Sequence, residues 1–129
     1  MRASQVPSKQ TQSRLIAQKI VELSSKVLSR KENAKYIALK VGDGPYSNVV
    51  TVRGSKDTVT FHIPSENLEE QAIAEGFSPE DRNAKRPFFK HKRYFHGLTL
   101  TDLQRHEPLF RSIVKNSMDY VSRHRPHGK

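Results

Sequence analysis

The chain contains no cysteine and no tryptophan, and its 13 acids are outnumbered by 23 lysines and arginines. Without cysteine there can be no disulfide, no thiolate-bound zinc and no thiol catalysis. No apolar run approaches the roughly 20 residues needed to cross a bilayer. No helical pattern joins an aromatic apolar face to a heavily basic one either, so no membrane partner is expected. Residues 1–10 are basic and polar, but Arg14, Gln18 and Lys19 break up the apolar positions that follow. That is not the pattern of a secretion signal, and an intracellular protein is expected.

The motifs of most enzyme classes are missing as well. There is no Walker-type phosphate loop, no Gly-x-Ser-x-Gly elbow and no His-Glu-x-x-His zinc helix. Gly42-x-Gly44 lacks the third glycine and the following helix of a dinucleotide fingerprint. Zinc-finger, homeodomain, RNP and Gly-x-x-Gly signatures are absent, and no repeat is visible. No acidic spacing matches a calcium loop, so neither a metal nor another cofactor is expected.

What the chain does have is positive charge: net +10 over 129 residues, with an isoelectric point near 10.1. Such a charge repels itself in a compact chain and attracts polyanions, which makes nucleic acid the first partner to consider. The apolar fraction of 34% is lean, but its residues recur regularly enough for one α+β domain over 11–122. Residues 1–10 read as a flexible basic arm and 123–129 as a basic tail.

Leu15, Ile16, Ile20, Leu23, Val27 and Leu28 recur at helical spacing, predicting an N-terminal helix capped by Thr11 or Ser13 and ending near Arg30 and Lys31. Runs at 36–41, 48–53 and 58–63, separated by turn clusters at 42–45 and 54–57, predict a three-stranded antiparallel meander with one buried face. Beyond Pro64, Ser65 caps a short helix with Leu68, Ala72 and Ile73 on its apolar side and Gly76 as its stop. Ser78-Pro79-Glu80-Asp81 has the composition of another helix start. Leu98 to Leu100 read as a short strand and Thr101 as a cap with Gln104 three residues on. A C-terminal helix from about Glu107, with Phe110, Ile113, Val114, Ser117 and Val121 on one face, should close over the sheet.

Residues 85–96 are the most informative stretch, with five cations, four aromatic rings, two histidines and no acid. Cations attract phosphate and rings stack on bases, as a single-stranded or irregular nucleic acid requires. As a strand, the stretch would set Lys90, Lys92 and Tyr94 on one side and His91, Arg93 and Phe95 on the other. Neither side is purely apolar, which favours a binding surface over a strand made only for a core. Of the adjacent rings, Tyr94 is expected outward, since water satisfies its hydroxyl. The candidate contacts are Lys85, Arg86, Lys90, His91, Lys92, Arg93, Tyr94 and His96, with Arg111 and Lys115 from the polar side of the last helix.

Two other functions fit the composition. A metal-independent ribonuclease would use two of His91, His96 and His106 as acid and base, with nearby cations steadying the phosphorane. A protein-docking adaptor would use the acidic segment 66–81, since residues 64–83 hold six acids and one cation while 84–105 hold six cations and one acid. Nucleic-acid binding, to RNA or single-stranded DNA ahead of duplex DNA, accounts for most of these features.

Overall fold

The structure, a computed structural model, describes residues 9–24, 28–42, 47–54, 56–81 and 90–124. Lys85, Arg86, most of the expected arm and most of the expected tail lie outside them. The architecture is α+β, with α1 (Lys9–Ser24), β1 (Ser29–Glu32), β2 (Ile37–Lys40), β3 (Asn48–Arg53) and β4 (Thr58–His62) in succession. Then come α2 (Glu66–Ala74), β5 (Glu80–Asp81), β6 (Lys92–His96), α3 (Leu100–Arg105) and α4 (Glu107–His124). The strands form one sheet of order β1-β2-β3-β4-β6-β5, every pairing antiparallel.

The expected meander is its centre, and three further strands extend it. β1 carries Ser-Arg-Lys-Glu, with no apolar alternation to announce it, and takes Arg30 and Lys31 out of the first helix. That helix begins earlier than its apolar spacing suggests, at Lys9. Glu80 and Asp81 are not a helix start but a two-residue edge strand against β6. The cap of α3 is Thr99 rather than Thr101: its hydroxyl accepts from the Asp102 N–H while the Asp102 carboxylate accepts from its own N–H. Leu98, expected in a strand, is a buried core residue just before that cap.

One face of the sheet packs against the helices. Ile37, Leu39, Val50, Val52, Val59, Phe61 and Phe95 meet Ile16, Ile20 and Leu23 of α1, Leu103 of α3 and Phe110, Ile113 and Val114 of α4 in one core. Phe61 and Phe95 stand edge to face at 5.5 Å, and Phe110 lies 5.8 Å from Phe95. Phe77 completes the group, 5.1 Å from Phe110. It is delivered there by the end of α2, where the Gly76 N–H donates to Ile73 and the Phe77 N–H to Ala72. This is a Schellman ending, and its left-handed residue, Gly76 at φ +103, is the one that no side chain would adopt comfortably. The same ending leaves Ile73 outside the core, 56% exposed, against its place in the apolar spacing.

The β3–β4 ladder stops at Val50 and Phe61, and α4 takes over there. The fully buried Ser117 hydroxyl accepts from the His62 N–H at 3.0 Å and donates to the Val49 carbonyl at 2.7 Å, standing in for the next cross-strand pair. Its neighbour Asn116 accepts from the Ser65 N–H at 3.3 Å, so consecutive residues of α4 hold the end of the ladder and the start of α2. Ser117→Ala should cost about 2–4 kcal/mol, because it strands a buried donor and a buried acceptor together. Urea unfolding checks this, with Ser112→Ala on the exposed side of α4 expected within about 0.5 kcal/mol of the parent.

Candidate nucleic-acid interface on the sheet

Side chains alternate across a strand, so the pairing of β6 with β4 decides the fate of each charge in β6. Phe95 lies opposite Val59 and Arg93 opposite Phe61, on the face that meets the helices. Lys92, Tyr94 and His96 lie opposite His62, Thr60 and Thr58, on the other face. Tyr94 is accordingly the outward ring of the pair and Phe95 the buried one, 2% exposed.

The other strands add to this second face in rows. Tyr94, Thr60, Thr51, Ala38 and Lys31 are successive cross-strand partners. On one side of that row stand Lys92, His62 and Lys40, and on the other His96, Thr58 and Arg53, with Tyr36 just before β2. The middle of the face is small and buried, formed by Ala38, Thr51, Thr58 and Thr60. Two cations lean over aromatic rings beside it, Lys92 Nζ at 5.6 Å from the Tyr94 centroid and the Arg53 guanidinium at 5.5 Å from that of Tyr36. Burial first and the Arg53 charge second push the Lys92 ammonium below its usual range.

His62 sits at the α4 end of this face, stacked on Tyr120 at 5.2 Å, while His91 meets the same ring edge-on at 5.5 Å. Burial, then Lys92 and His91, hold the His62 imidazole at about 4, against its ordinary 6.5. Around this buried ring pair the second face carries the cations Lys31, Lys40, Arg53 and Lys92.

Other expected site residues are placed elsewhere. Arg93, which was expected to contact phosphate, donates to Glu69 of α2 at 2.8 Å and to the Lys90 and Lys92 carbonyls, lies 3.8 Å from Asp81, and is only 13% exposed. It ties α2 to the sheet. Arg111 pairs with Glu107 at 2.7 Å on α4, and Lys115 is exposed on the same helix, both away from the second face. Lys90 is exposed in the turn before β6. Arg53, Lys40, Lys31, Tyr36 and His62 join the face instead. Their only signal in the sequence was the period-2 pattern of strands whose partners had yet to be known.

The three histidines do not converge. His91 and His96 are five residues apart along an extended strand, roughly 16 Å. His96 pairs with Glu80 at 2.7 Å on the second face, whereas His106 pairs with Glu75 at 2.7 Å and packs on Phe77 at 4.9 Å on the helix side. An acid–base pair acting on one phosphate needs both rings within hydrogen-bond reach of it, and this spacing denies that. The acidic segment is likewise occupied internally: Glu69 and Asp81 meet Arg93, Glu80 meets His96 and Glu75 meets His106. Hydrogen bonds from His106 and Gln71 hold the Glu75 carboxyl below its usual range. Among the described residues, no three His, Asp or Glu side chains are grouped as a metal would need, and no helix is long and apolar enough to cross a membrane.

Arg93 and Lys92 should therefore respond oppositely to removal. Arg93→Ala should lower stability by about 1–3 kcal/mol, whereas Lys92→Met should hold or raise the melting temperature, because the folded chain disfavours that charge. A drop for Lys92→Met as large as for Arg93→Ala would contradict the assignment. His62 sets a pH dependence of its own. The folded chain favours its neutral form and the unfolded chain protonates it below about 6.5, so its contribution is complete above that pH and is lost as pH falls toward 4. Urea midpoints between pH 7 and 5 should show a slope approaching about 1.4 kcal/mol per unit, flattened in His62→Gln. The chain matches no protein-family model, no curated protein and no solved structure, so its function is to be read from the chemistry of this face.

Proposed function

We propose that this second face of the sheet binds nucleic acid, RNA or single-stranded DNA ahead of duplex DNA. The observation that carries this is that Lys92 and Arg53 share one sheet face beside small threonines, each lying against a tyrosine ring, at 5.6 and 5.5 Å from its centroid. Burial first and the Arg53 charge second disfavour the Lys92 ammonium in the fold, and a phosphate beside it would offset that cost. Tyr94 and Tyr36 offer the flat surfaces on which unpaired bases stack.

The shape of the surface favours a single strand. A duplex major groove admits a helix or a two-stranded ribbon, not the broad face of a six-stranded sheet. Splayed bases can lie flat on such a face while their phosphates run past Lys31, Lys40, Arg53 and Lys92. This reading takes the protein to be intracellular. Cleavage and protein docking fit less well, since the histidines are dispersed and most acids of 66–81 are engaged within the fold.

Fluorescence anisotropy with a mixed-sequence, single-stranded oligonucleotide tests the proposal. The log–log dependence on salt should have a slope of about −3, for about four phosphates contacted. Lys92→Ala should reduce the slope by about 0.7, and Tyr94→Ala should weaken binding by about 1–3 kcal/mol at unchanged slope. Salt-independent binding, no binding at low salt, or an equal effect from Lys115→Ala on α4 would remove the sheet face from the account.

A further inference from the structure

Two imidazole–carboxylate pairs fasten the stretch from Glu75 to Glu80 to the rest of the chain, and they lie on opposite sides of the sheet. His106 Nδ1 meets Glu75 at 2.7 Å on the helix side, and His96 Nε2 meets Glu80 at 2.7 Å on the second face. Distance does not distinguish them, but place does. Glu80 is the cross-strand partner of Tyr94, and His96 stands in the row that continues through Thr58 to Arg53. Both side chains of this pair are 47% exposed, whereas those of the other are 28% and 29% exposed.

Imidazole is the side chain whose charge ordinarily changes between about pH 5 and 8, so such a pair has two charge states within that range. With the ring protonated, the pair is neutral as a whole. Once the proton leaves, the Glu80 charge remains beside Tyr94, on the face that carries Lys92 and Arg53, and the net charge of that face falls by one unit. The groups around His96 do not follow the proton. Thr58 opposite it is uncharged, Arg53 beyond is a permanent cation, and the Asp57 carboxylate, with Oδ2 3.8 Å from where a Cβ on Gly97 would stand, adds a further negative charge near the strand end. His62, in the row of Lys92, is held at about 4 and is already neutral over the range.

We infer that the His96–Glu80 pair is a proton-operated switch of the sheet face, strengthening its hold on a nucleic-acid strand when the ring is protonated and weakening it when the ring is neutral. The inference rests on the reading of that face as a nucleic-acid surface and assigns a regulation to it. Linkage makes the coupling reciprocal, so a bound strand favours the protonated ring and binding takes up protons. One unit charge about 4 Å from a phosphate in water changes affinity about fivefold.

Fluorescence anisotropy with an oligouridylate at constant ionic strength, from about pH 5.5 to 8, tests this. The affinity of the parent chain should fall about fivefold across that range. His96→Gln should flatten the profile at its weaker level, and His96→Lys, which keeps a cation beside Glu80, should flatten it at its stronger level. His106→Gln, which breaks the equivalent pair on the helix side, should keep the parent's pH dependence. Comparing parent and variant at each pH removes the contributions of Lys92, His91 and every other titrating group. Calorimetry in two buffers of different ionisation enthalpy should show proton uptake on binding near pH 7, reduced in His96→Gln. A flat parent profile, a pH dependence that survives undiminished in His96→Gln, weak binding by His96→Lys at low pH, or a profile flattened equally by His106→Gln would overturn the inference while leaving strand binding in place. No binding of the oligouridylate at any pH in low salt would instead overturn the reading of the face, and the switch with it.

Discussion

Phe95 sits among Phe61, Phe77 and Phe110, and the pairing register that puts it there assigns every other side chain of β6. A strand has two faces and a period of two. Moving β6 by one residue along β4 would drive Lys92 and Tyr94 into the core and expel Phe95, at the cost of burying a lysine among phenylalanines. Fixed register therefore sorts a run of alternating charge and ring into an aromatic anchor inside and a cation with a stacking surface outside. The edge strand obeys the same rule. Opposite Tyr94, Glu80 turns to the second face and meets His96, while Asp81, opposite Arg93, turns inward and joins the ion pair that holds α2.

Two neighbouring cations thus have opposite energetic roles. Arg93 has a carboxylate from α2 at 2.8 Å, so its charge is compensated where it is buried. Lys92 has a ring beneath it, but burial first and the Arg53 charge second lower its affinity for a proton. Natural chains keep destabilising arrangements mostly where function uses them. By that measure Lys92 marks the surface more clearly than the arginine beside it, although composition treats the two alike.

Much of the architecture was legible because it rests on local pattern. Apolar spacing located the central strands and the C-terminal helix, and Ser65 and Gly76 bounded α2 as their backbone chemistry demands. Whatever depended on a partner was not legible. β1 is polar at all four positions and becomes a strand only because β2 offers it an edge. Leu15 fits the apolar spacing of α1 yet is 45% exposed, at the rim of a surface pocket rather than in the core. For the site, the stretch ending at His96 led to Lys92 and Tyr94, but its segregation from the acidic residues before it was misleading in sequence. Folding brings the two segments together, so Arg93 and His96 are engaged by the acids whose absence from the stretch made it conspicuous.

That internal neutralisation gives the second face a direction. At one edge β5 presents Glu80 and Asp81, with Glu80 on this face beside Tyr94. Toward the other edge, Arg53, Lys40 and Lys31 stand on successive strands with no acid among their cross-strand partners on that face. Neighbouring strands are about 4.8 Å apart, so the positive side extends roughly 19 Å from Lys92 to Lys31. The cations of this face thus follow one another across the strands rather than along a single one. That line of charge is set by the same pairing register that buries Phe95.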